Sequence, residues 1–138
     1  MRILVTGSRD LTDRSLVVDA LCECVVDEML ANRRVDLLAS TVVVGDCPTG
    51  ADLFAREFWQ EVIVAPGHLE TPDNLDVHVA DWDCCGKAAG PRRNQAMVDT
   101  KPDVCLAFFK AGAGNRETSD CVRRAKAAGI PVHEFTEQ

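Results

Sequence analysis

The chain has 138 residues, of which 46% are hydrophobic, a size and composition that suit a single domain with a full buried core. Its formal net charge of -7 argues against duplex nucleic acid or an anionic membrane surface as the main partner. Because no apolar run approaches the roughly 18 residues that a membrane helix needs, we expect one cytoplasmic domain over residues 1–138, with no membrane partner.

The first half of the chain alternates β-rich apolar runs with helical patterns. Residues 2–6 predict a first strand that ends at a glycine, and Thr12 with Asp13 marks a capped helix start. Apolar residues then recur at helical spacing to about Asn32. Residues 41–44 predict a second strand. A second helix is predicted from an apolar face formed by Ala51, Phe54, Ala55 and Phe58.

The second half begins with a stretch that has no clear periodicity. Residues 61–74 contain two clusters of turn residues and predict a surface excursion. After it, the pattern predicts a third strand (75–79), a helix opened by Pro91 and a fourth strand (104–109). A final helix is predicted from about Thr118 to Ala128, where Gly129 ends it, and an edge strand (130–135) follows.

Five strands alternating with helices indicate an α/β protein with a parallel sheet. Right-handed crossovers arrange the strands as a Rossmann-like doubly wound sheet, for which we predict the order 3-2-1-4-5. In such sheets ligands bind beyond the carboxyl ends of the strands, at the switch point between strands one and four. The loops after strands one to four leave the sheet at those ends and carry most of the glycines, together with arginines and acids.

The glycine-rich turn after strand four is the strongest local signal for a ligand. Gly112 and Gly114 permit positive φ angles or the close approach of a ligand to the backbone. Thr118 can cap the following helix, and Arg116 adds a cation at the helix N-terminus, where backbone N–H groups favour anions. The alternative is an ordinary strand-to-helix turn with a good cap.

Gly7, Ser8 and Arg9 follow strand one and form a second candidate loop. The dinucleotide fingerprint GxGxxG is absent, and so is the Gly-Lys-Ser/Thr ending of a phosphate-binding loop. A standard NAD or ATP site is therefore disfavoured, and we predict no cofactor.

Arg92 and Arg93 follow Pro91 at the start of the arginine helix. In the simplest alternative, both arginines are solvated surface charges that balance the excess of acids. In a sheet of this topology, however, one of the two has to point towards the strand ends. We assign the ligand role to Arg93, because anion-favouring features converge there.

Asp52 and Asp120 are placed by the pattern in the first turns of their helices, where the helix dipole stabilises a carboxylate without any function. The same positions would allow a carboxylate to bind ribose hydroxyls or act as a base. Trp82 is a candidate for stacking on a nucleobase, although packing over the edge of the core explains it equally well.

The seven cysteines do not form a metal or disulfide pattern. Their closest pairs are Cys22 with Cys24 and Cys84 with Cys85, and neither pair has the CxxC spacing. Cysteines in apolar patterns act as small hydrophobes. We therefore predict reduced thiols and no metal site.

The loop motifs form an ordered series along the chain: Gly7-Ser8-Arg9-Asp10; Gly45-Asp46 with Gly50-Ala51-Asp52; Ala80-Asp81-Trp82 through Gly86-Lys87 to Ala89-Gly90-Pro91; Arg93-Asn94 with Met97; and Thr118-Ser119-Asp120 with Val122-Arg123-Arg124-Ala125. In order and spacing, this series resembles the SLOG superfamily of Rossmann-like proteins, and its small YspA-like branch most of all. The superfamily includes the Lonely guy phosphoribohydrolases and the DNA-processing protein DprA. The resemblance covers nearly the whole chain except about residues 61–74.

The resemblance implies that a nucleotide or nucleotide-derived phosphorylated ligand binds at the strand ends. In Lonely guy enzymes, an arginine of the arginine helix and a glutamate after the PGGxGT turn serve cleavage of the N-glycosidic bond of a nucleoside monophosphate. Carried over by position, these catalytic roles fall on Arg93 and Asp120, with Glu117 as a second candidate acid. The turn here, residues 111–118, is longer than PGGxGT, and aspartate has a shorter reach than glutamate. From the loops and the resemblance together, the candidate ligand-binding residues are Gly7, Ser8, Arg9, Gly45, Asp46, Gly50, Asp52, Trp82, Lys87, Gly90, Asn94, Gly112, Gly114, Arg116 and Thr118.

Two functions compete at this stage. The first is a binding or sensing module, in which backbone N–H groups of residues 112–118 hold a phosphate that Arg9 and Arg93 neutralise. In that case Asp52 or Asp120 contacts ribose. The second is a nucleoside 5'-monophosphate phosphoribohydrolase that uses the same site through an oxocarbenium-like transition state. Single-strand binding of the DprA kind is disfavoured by the acidic charge and by the five Phe and two Trp, with no Tyr. The resemblance also implies a homodimer.

Overall fold

The computed structural model describes residues 1–32, 39–63 and 74–138. Five parallel strands form one sheet in the order β3-β2-β1-β4-β5, which confirms the predicted α/β doubly wound fold and its strand order. The surface excursion predicted over residues 61–74 falls almost entirely outside the described residues. The strands are β1 (Arg2–Gly7), β2 (Thr41–Gly45), β3 (Leu75–His78), β4 (Val104–Lys110) and β5 (Val132–Glu137).

Helices cover both faces of this sheet. Buried residues of α1 and α2 pack against one face, and buried residues of α4 and α5 pack against the other. None of the helices in the described ranges is long and apolar enough to cross a bilayer. The helices are α1 (Arg14–Ala31), α2 (Gly50–Ile63), the short α3 (Trp82–Cys85) with a following 3-10 turn (Gly86–Ala88), α4 (Ala89–Asp99) and α5 (Arg116–Ala127).

The central strand β1 explains why the sequence pattern predicts the core well. Ile3 and Val5 belong to the apolar cluster under α1 and α2, whereas Leu4 belongs to the cluster under α4 and α5. A central parallel strand is covered on both faces and therefore has a nearly continuous apolar sequence. Cys105 and Cys121 are buried in the second cluster, as expected for small hydrophobes, and burial raises the pKa of the Cys121 thiol to about 11.

Helix starts were predicted with mixed success. Asp13 caps α1 as predicted, because its carboxylate accepts a hydrogen bond from the backbone N–H of Ser15 at 3.1 Å. The prediction that Thr118 caps α5 is wrong. The helix begins at Arg116 with Asn115 as its N-cap residue, and Thr118 is buried inside the first turn at 2% exposure.

Candidate functional site

A cavity of about 300 Å³ opens at the carboxyl ends of β1 and β4, the switch point of the sheet. The loop after β1, the start of α2, helix α4 and the start of α5 all contribute to its wall. We call it the arginine cavity, because Arg9, Arg93 and Arg116 line it. Segments that are far apart in the sequence therefore meet at the switch point, which is where ligands generally bind in open α/β sheets.

Hydrogen bonds hold the loop after β1 beside the cavity. The backbone N–H of Ser8 donates to the carbonyl oxygen of Phe108 at 2.8 Å, and the Ser8 hydroxyl accepts from the N–H of Asp10 at 3.1 Å. Gly7 and the buried Ser8 line the cavity, while Arg9 is exposed at its rim. The loop thus presents one cation from a fixed backbone.

Arg93 is the buried cation of the site, with a side chain that is 9% exposed. One Nη lies 3.3 Å from Glu117 Oε2, and the other lies 3.7 Å from Asp46 Oδ1. Its Nε is buried and has no hydrogen-bond partner among the described residues. The guanidinium group is therefore oriented by two carboxylates while one of its donors stays unused.

Asp52 lies in the first turn of α2 and is buried beside Arg93. Burial raises the pKa of its carboxyl group to about 6, although the positive charges of Arg93 and Arg56 oppose this shift. Arg56 also donates to the carbonyl oxygens of Gly45 and Cys47 at 2.8 and 2.9 Å, which fixes the loop after β2. The cavity wall thus contains an acid that changes its charge near neutral pH.

The N-terminus of α5 supplies unused backbone donors. The side chain of Asn115 bonds the backbone N–H and carbonyl of Lys110, so it does not cap the helix. Within the described ranges, the first-turn N–H groups of Arg116, Glu117 and Thr118 have no hydrogen-bond acceptor. Because these residues line the arginine cavity, the helix N-terminus offers a site for an anion.

A second cavity of about 610 Å³ adjoins the first and shares Arg116 and Glu117 with it. We call it the tryptophan cavity, because Trp82, a residue that is 48% exposed, lines it. Lys87 and Asn94 also contribute to its wall. The predicted site residues are thus divided between two neighbouring cavities.

Asn94 is almost fully buried at 1% exposure. Its amide nitrogen donates to the carbonyl oxygen of Glu117 at 3.1 Å and to Asp120 Oδ2 at 3.0 Å. These two acceptors fix the orientation of the amide, and its oxygen has no partner among the described residues. Asn94 therefore ties α4 to α5 and keeps one buried acceptor unused.

The prediction that Asp120 lies in the first turn of α5 is wrong. The helix starts at Arg116, so the acid in the first turn is Glu117. Asp120 lines the tryptophan cavity, but it accepts hydrogen bonds from Arg123 at 2.5 Å and from Arg124 at 2.9 Å, in addition to that from Asn94. Although burial alone raises its pKa, these hydrogen bonds together lower it. Its carboxylate thus accepts three side-chain hydrogen bonds.

Glu117 has the opposite environment. Its side chain is 38% exposed, it contacts Arg93, and it lines both cavities. The carboxylate of Glu117 thus lies between the cavities with one ion-pair partner, whereas that of Asp120 has three side-chain hydrogen-bond donors.

The remaining predicted residues line neither cavity, and several of them shape the site by lacking a side chain. A Cβ on Gly45 would lie 2.6 Å from Asp52 Oδ2 and 3.0 Å from Arg93 Nη1. A Cβ on Gly90 would lie 2.8 Å from Glu117 Oε1. These two glycines therefore allow the acids and Arg93 to come together. The residues placed outside both cavity walls are Gly45, Asp46, Gly50, Gly90 and Gly112.

Four residues that line the arginine cavity were not predicted as site residues, namely Thr6, Cys47, Met97 and Asn115. Thr6 is a polar residue within the apolar run of β1, a signal that could have been noticed. Asn115 precedes α5 and has the residue type of an N-cap, which could also have been noticed. Cys47 had no signal in the sequence pattern.

The chain is similar over almost its full length to a protein of a mycobacterial phage. It is 40% identical over 135 residues to the Gene 61 protein of Mycobacterium phage D29, an alignment that covers 97% of this chain and 95% of that protein. No protein-family model matches the chain. No solved structure matches it either. On the strength of that identity and coverage, this chain belongs to the family of the Gene 61 protein of Mycobacterium phage D29.

Proposed function

We propose that the protein binds a nucleotide or a nucleotide-derived phosphorylated ligand at the carboxyl edge of its sheet, as a sensor or binding module of the SLOG type. The observation that carries this proposal is the arginine cavity itself. Three arginines and the uncapped first turn of α5 surround it, on a molecule whose net charge is -7. A phosphate group would be the natural complement of that arrangement.

The charge balance of the arginine cavity favours an anion. Its wall contains three arginines, Arg9, Arg93 and Arg116, against two carboxyl groups, Asp52 and Glu117. Asp46, which lies outside the wall, is 3.7 Å from Arg93. The raised pKa of Asp52, about 6, reduces the negative contribution further as the pH falls. The unused backbone N–H groups of α5 add donors that can bind a ligand without first breaking a hydrogen bond to another group of the protein.

The tryptophan cavity supports a nucleoside as the rest of the ligand. It adjoins the arginine cavity through Arg116 and Glu117, so a phosphate in one cavity could be covalently linked to a group in the other. The exposed indole of Trp82 provides an aromatic face of the kind on which nucleobases stack.

Isothermal titration with AMP, ADP-ribose, adenosine and inorganic phosphate tests the proposal. We expect AMP or ADP-ribose to bind more tightly than adenosine, because adenosine lacks the phosphate. Arg116→Gln should weaken binding of the phosphorylated ligands, whereas Lys126→Gln, a change at an exposed lysine on the far half of α5, should not. The absence of binding by every phosphorylated ligand at millimolar concentration, or an equal loss in both variants, would overturn the proposal.

A second candidate function is hydrolysis of the N-glycosidic bond of a nucleoside monophosphate. The observation that favours it is the position of Glu117 between the two cavities, in contact with Arg93. In this mechanism Glu117 would stabilise the developing oxocarbenium charge and Arg93 would assist the departing base. Asp120, to which the resemblance assigns the acid role, is already bonded to its neighbours.

Incubation with the four nucleoside monophosphates, followed by chromatography for free base, tests this second function. If the protein is a hydrolase, Glu117→Gln should abolish base release, and Asp120→Asn should retain more of it at equal folded fraction. Absence of base release by the wild-type protein would exclude hydrolysis and leave ligand binding to be decided by the titrations.

A further inference from the structure

Helix α1 carries apolar side chains on the side that faces away from the sheet. Its other side supplies buried residues to the core. Val26, Met29 and Leu30 are 51%, 42% and 80% exposed, and with the exposed Cys22 they are spaced so that they lie along one side of the helix. We call these four residues the outer stripe.

The outer stripe concentrates exposed apolar surface. Of the seven large hydrophobic side chains that are exposed in the described ranges, three lie within five consecutive residues of α1. Single exposed hydrophobic residues are common on protein surfaces, whereas a contiguous group of them is typical of a surface that contacts another molecule.

A row of acids runs beside the outer stripe. Asp19, Glu23 and Asp27 are exposed and four residues apart, so they form one line along the helix. Each lies three positions before a residue of the stripe, and residues at that spacing are neighbours on a helix surface. None of the three forms an ion pair within the part of the chain that the structure describes. The one basic residue of α1, Arg14, pairs with Glu61.

The charge beside the outer stripe distinguishes between kinds of partner. In a symmetric dimer the same surface meets itself, so a second copy of the chain would bring two identical rows of acids together, and like charges repel. An anionic membrane would be repelled for the same reason. A helix with an apolar stripe bordered by lysine or arginine has the complementary surface, because its apolar residues pack on the outer stripe while its cations lie beside the acids.

We propose that the outer stripe and the row of acids beside it are a docking surface for a basic amphipathic helix of another protein. At 1.5 Å per residue, the 18 residues of α1 extend over about 27 Å, which allows contact over several helical turns. The stripe lies in the C-terminal half of α1, whereas the arginine cavity lies beyond the carboxyl end of β1, which precedes the start of α1. Docking therefore leaves that cavity open and does not depend on the proposed nucleotide binding.

Fluorescence anisotropy with three labelled peptides tests the proposal on the full chain. The first peptide contains Leu and Lys at helical spacing, so that Leu forms one face. The second has Glu in place of every Lys, and the third has the composition of the first in an order that forms no apolar stripe. We expect saturable binding of the first peptide alone. Equal binding of the third would show attraction by charge alone, and equal binding of the second would show that the acids have no role. Each of these results would overturn the proposal.

Substitutions in the outer stripe locate the binding. Val26→Ser should weaken binding of the first peptide about 5-fold or more, because the apolar area that it buries against the peptide is lost. Val79→Ser is the matched control at another exposed valine, outside α1, and should leave binding unchanged. Equal losses in the two variants would place the binding elsewhere and contradict the proposal. Circular dichroism checks that both variants are folded.

Substitutions in the row of acids test the charge complementarity. Glu23→Gln/Asp27→Asn should weaken binding of the first peptide about 3- to 10-fold at low salt, and the loss should shrink as the salt concentration rises. Asp83→Asn/Asp99→Asn removes the same charge at exposed acids outside α1 and should leave binding unchanged. An equal loss in both double variants would overturn the proposal.

Analytical ultracentrifugation tests whether a second copy of the chain covers the outer stripe instead. We expect the sedimentation of the wild type and of Val26→Ser to be the same. A dimer that Val26→Ser dissociates would show that the stripe contacts another copy and would contradict the proposal. No nucleotide is present in any of these experiments, so a failure of the proposed nucleotide binding would be recognised separately.

Discussion

The two edges of the sheet carry cavities of similar size and opposite charge. The arginine cavity, about 300 Å³, lies at the carboxyl edge. A second cavity of about 370 Å³ lies near the starts of β1, β4 and β5, beside α1. We call it the acidic cavity, because its wall in the described residues contains acids and no lysine or arginine. These acids are Glu23, Asp27, Glu28 and Asp103.

The difference between the edges follows from the direction of the helices. In a parallel α/β sheet, helices begin near the carboxyl ends of strands and end near the opposite edge, so their dipoles are positive at the first edge and negative at the second. The α1 sequence strengthens this asymmetry, because its C-terminal half carries Asp27 and Glu28 and its last turn has no basic residue. The location of charge therefore decides where an anion can bind, even when the net charge of the molecule is negative.

Asp52 gives the largest expected effect of pH on stability at the arginine edge. Its pKa is about 6 in the folded protein, against a usual value of 3.8, mainly because of burial. The unfolded chain therefore loses this proton at lower pH than the folded protein does, and the free energy of unfolding falls by about 3 kcal/mol as the pH rises through this window. In the Asp52→Asn variant, the free energy of unfolding should no longer fall as the pH rises. In the Asp27→Asn variant, which changes the acidic cavity, it should fall as in the wild type. Urea denaturation at several pH values between about 3 and 7 measures the free energy of unfolding of both variants. Equal pH profiles for the wild type and Asp52→Asn would show that Asp52 does not cause the pH dependence.

Substitution of the buried Arg93 tests by phosphate binding whether the two edges differ. Arg93→Met should weaken inorganic phosphate binding about 10- to 100-fold, because a hydrogen bond to a charged group contributes about 1.5–3 kcal/mol. Arg2→Met is the matched control at the opposite edge, where Arg2 pairs with Asp76 at 2.9 Å in a half-exposed position. Titration of both variants, with circular dichroism as a check of folding, measures the effect. Equal losses in the two variants would show that the arginine cavity is not the binding site.

Two glycines with positive φ allow a third test. Gly50, at the carboxyl edge, has a φ angle of 73°, and an added Cβ would overlap the carbonyl oxygen of Ser8. Gly129, at the opposite edge, has a φ angle of 78° and no heavy atom within 4 Å of an added Cβ. Gly129→Ala should lower the free energy of unfolding by about 1–2 kcal/mol, and Gly50→Ala by about 1–3 kcal/mol more because of the overlap. Urea denaturation of the two variants measures the difference, and equal losses would contradict the crowded packing at Gly50.

The fold could be predicted from the sequence because its signals are local and mutually consistent. The apolar runs that became β1 and β2, and the cap at Asp13, each depend on a few neighbouring residues. The strand order then follows from the handedness of the crossovers. Because the strands are parallel, the loops after β1 and β4 lie at one edge of the sheet. Arg9, Arg93 and Gly114 line one cavity there.

The roles of the two acids on α5 could not be predicted in this way. The start of the helix depends on Asn115, whose side chain bonds Lys110 rather than capping the first turn. The state of Asp120 depends on a hydrogen bond from Asn94, which is 26 residues away in the sequence. The contact between Asn94 and Asp120 depends on how α4 packs on α5, and no local pattern in the sequence predicts that packing.

The smallest expected effect concerns the exposed arginine at the rim of the arginine cavity. Arg9→Ala should weaken phosphate binding about 2- to 5-fold at low salt, since an exposed charge contributes at most about 1 kcal/mol. The loss should shrink as ionic strength rises, because salt screens exposed charges far more than buried ones such as Arg93. Lys101→Ala, at an exposed lysine between α4 and β4 near the opposite edge, removes the same charge and should change nothing. An equal effect of both variants would mean that phosphate senses only the total charge of the molecule, and the contrast between its two edges would then have no bearing on binding.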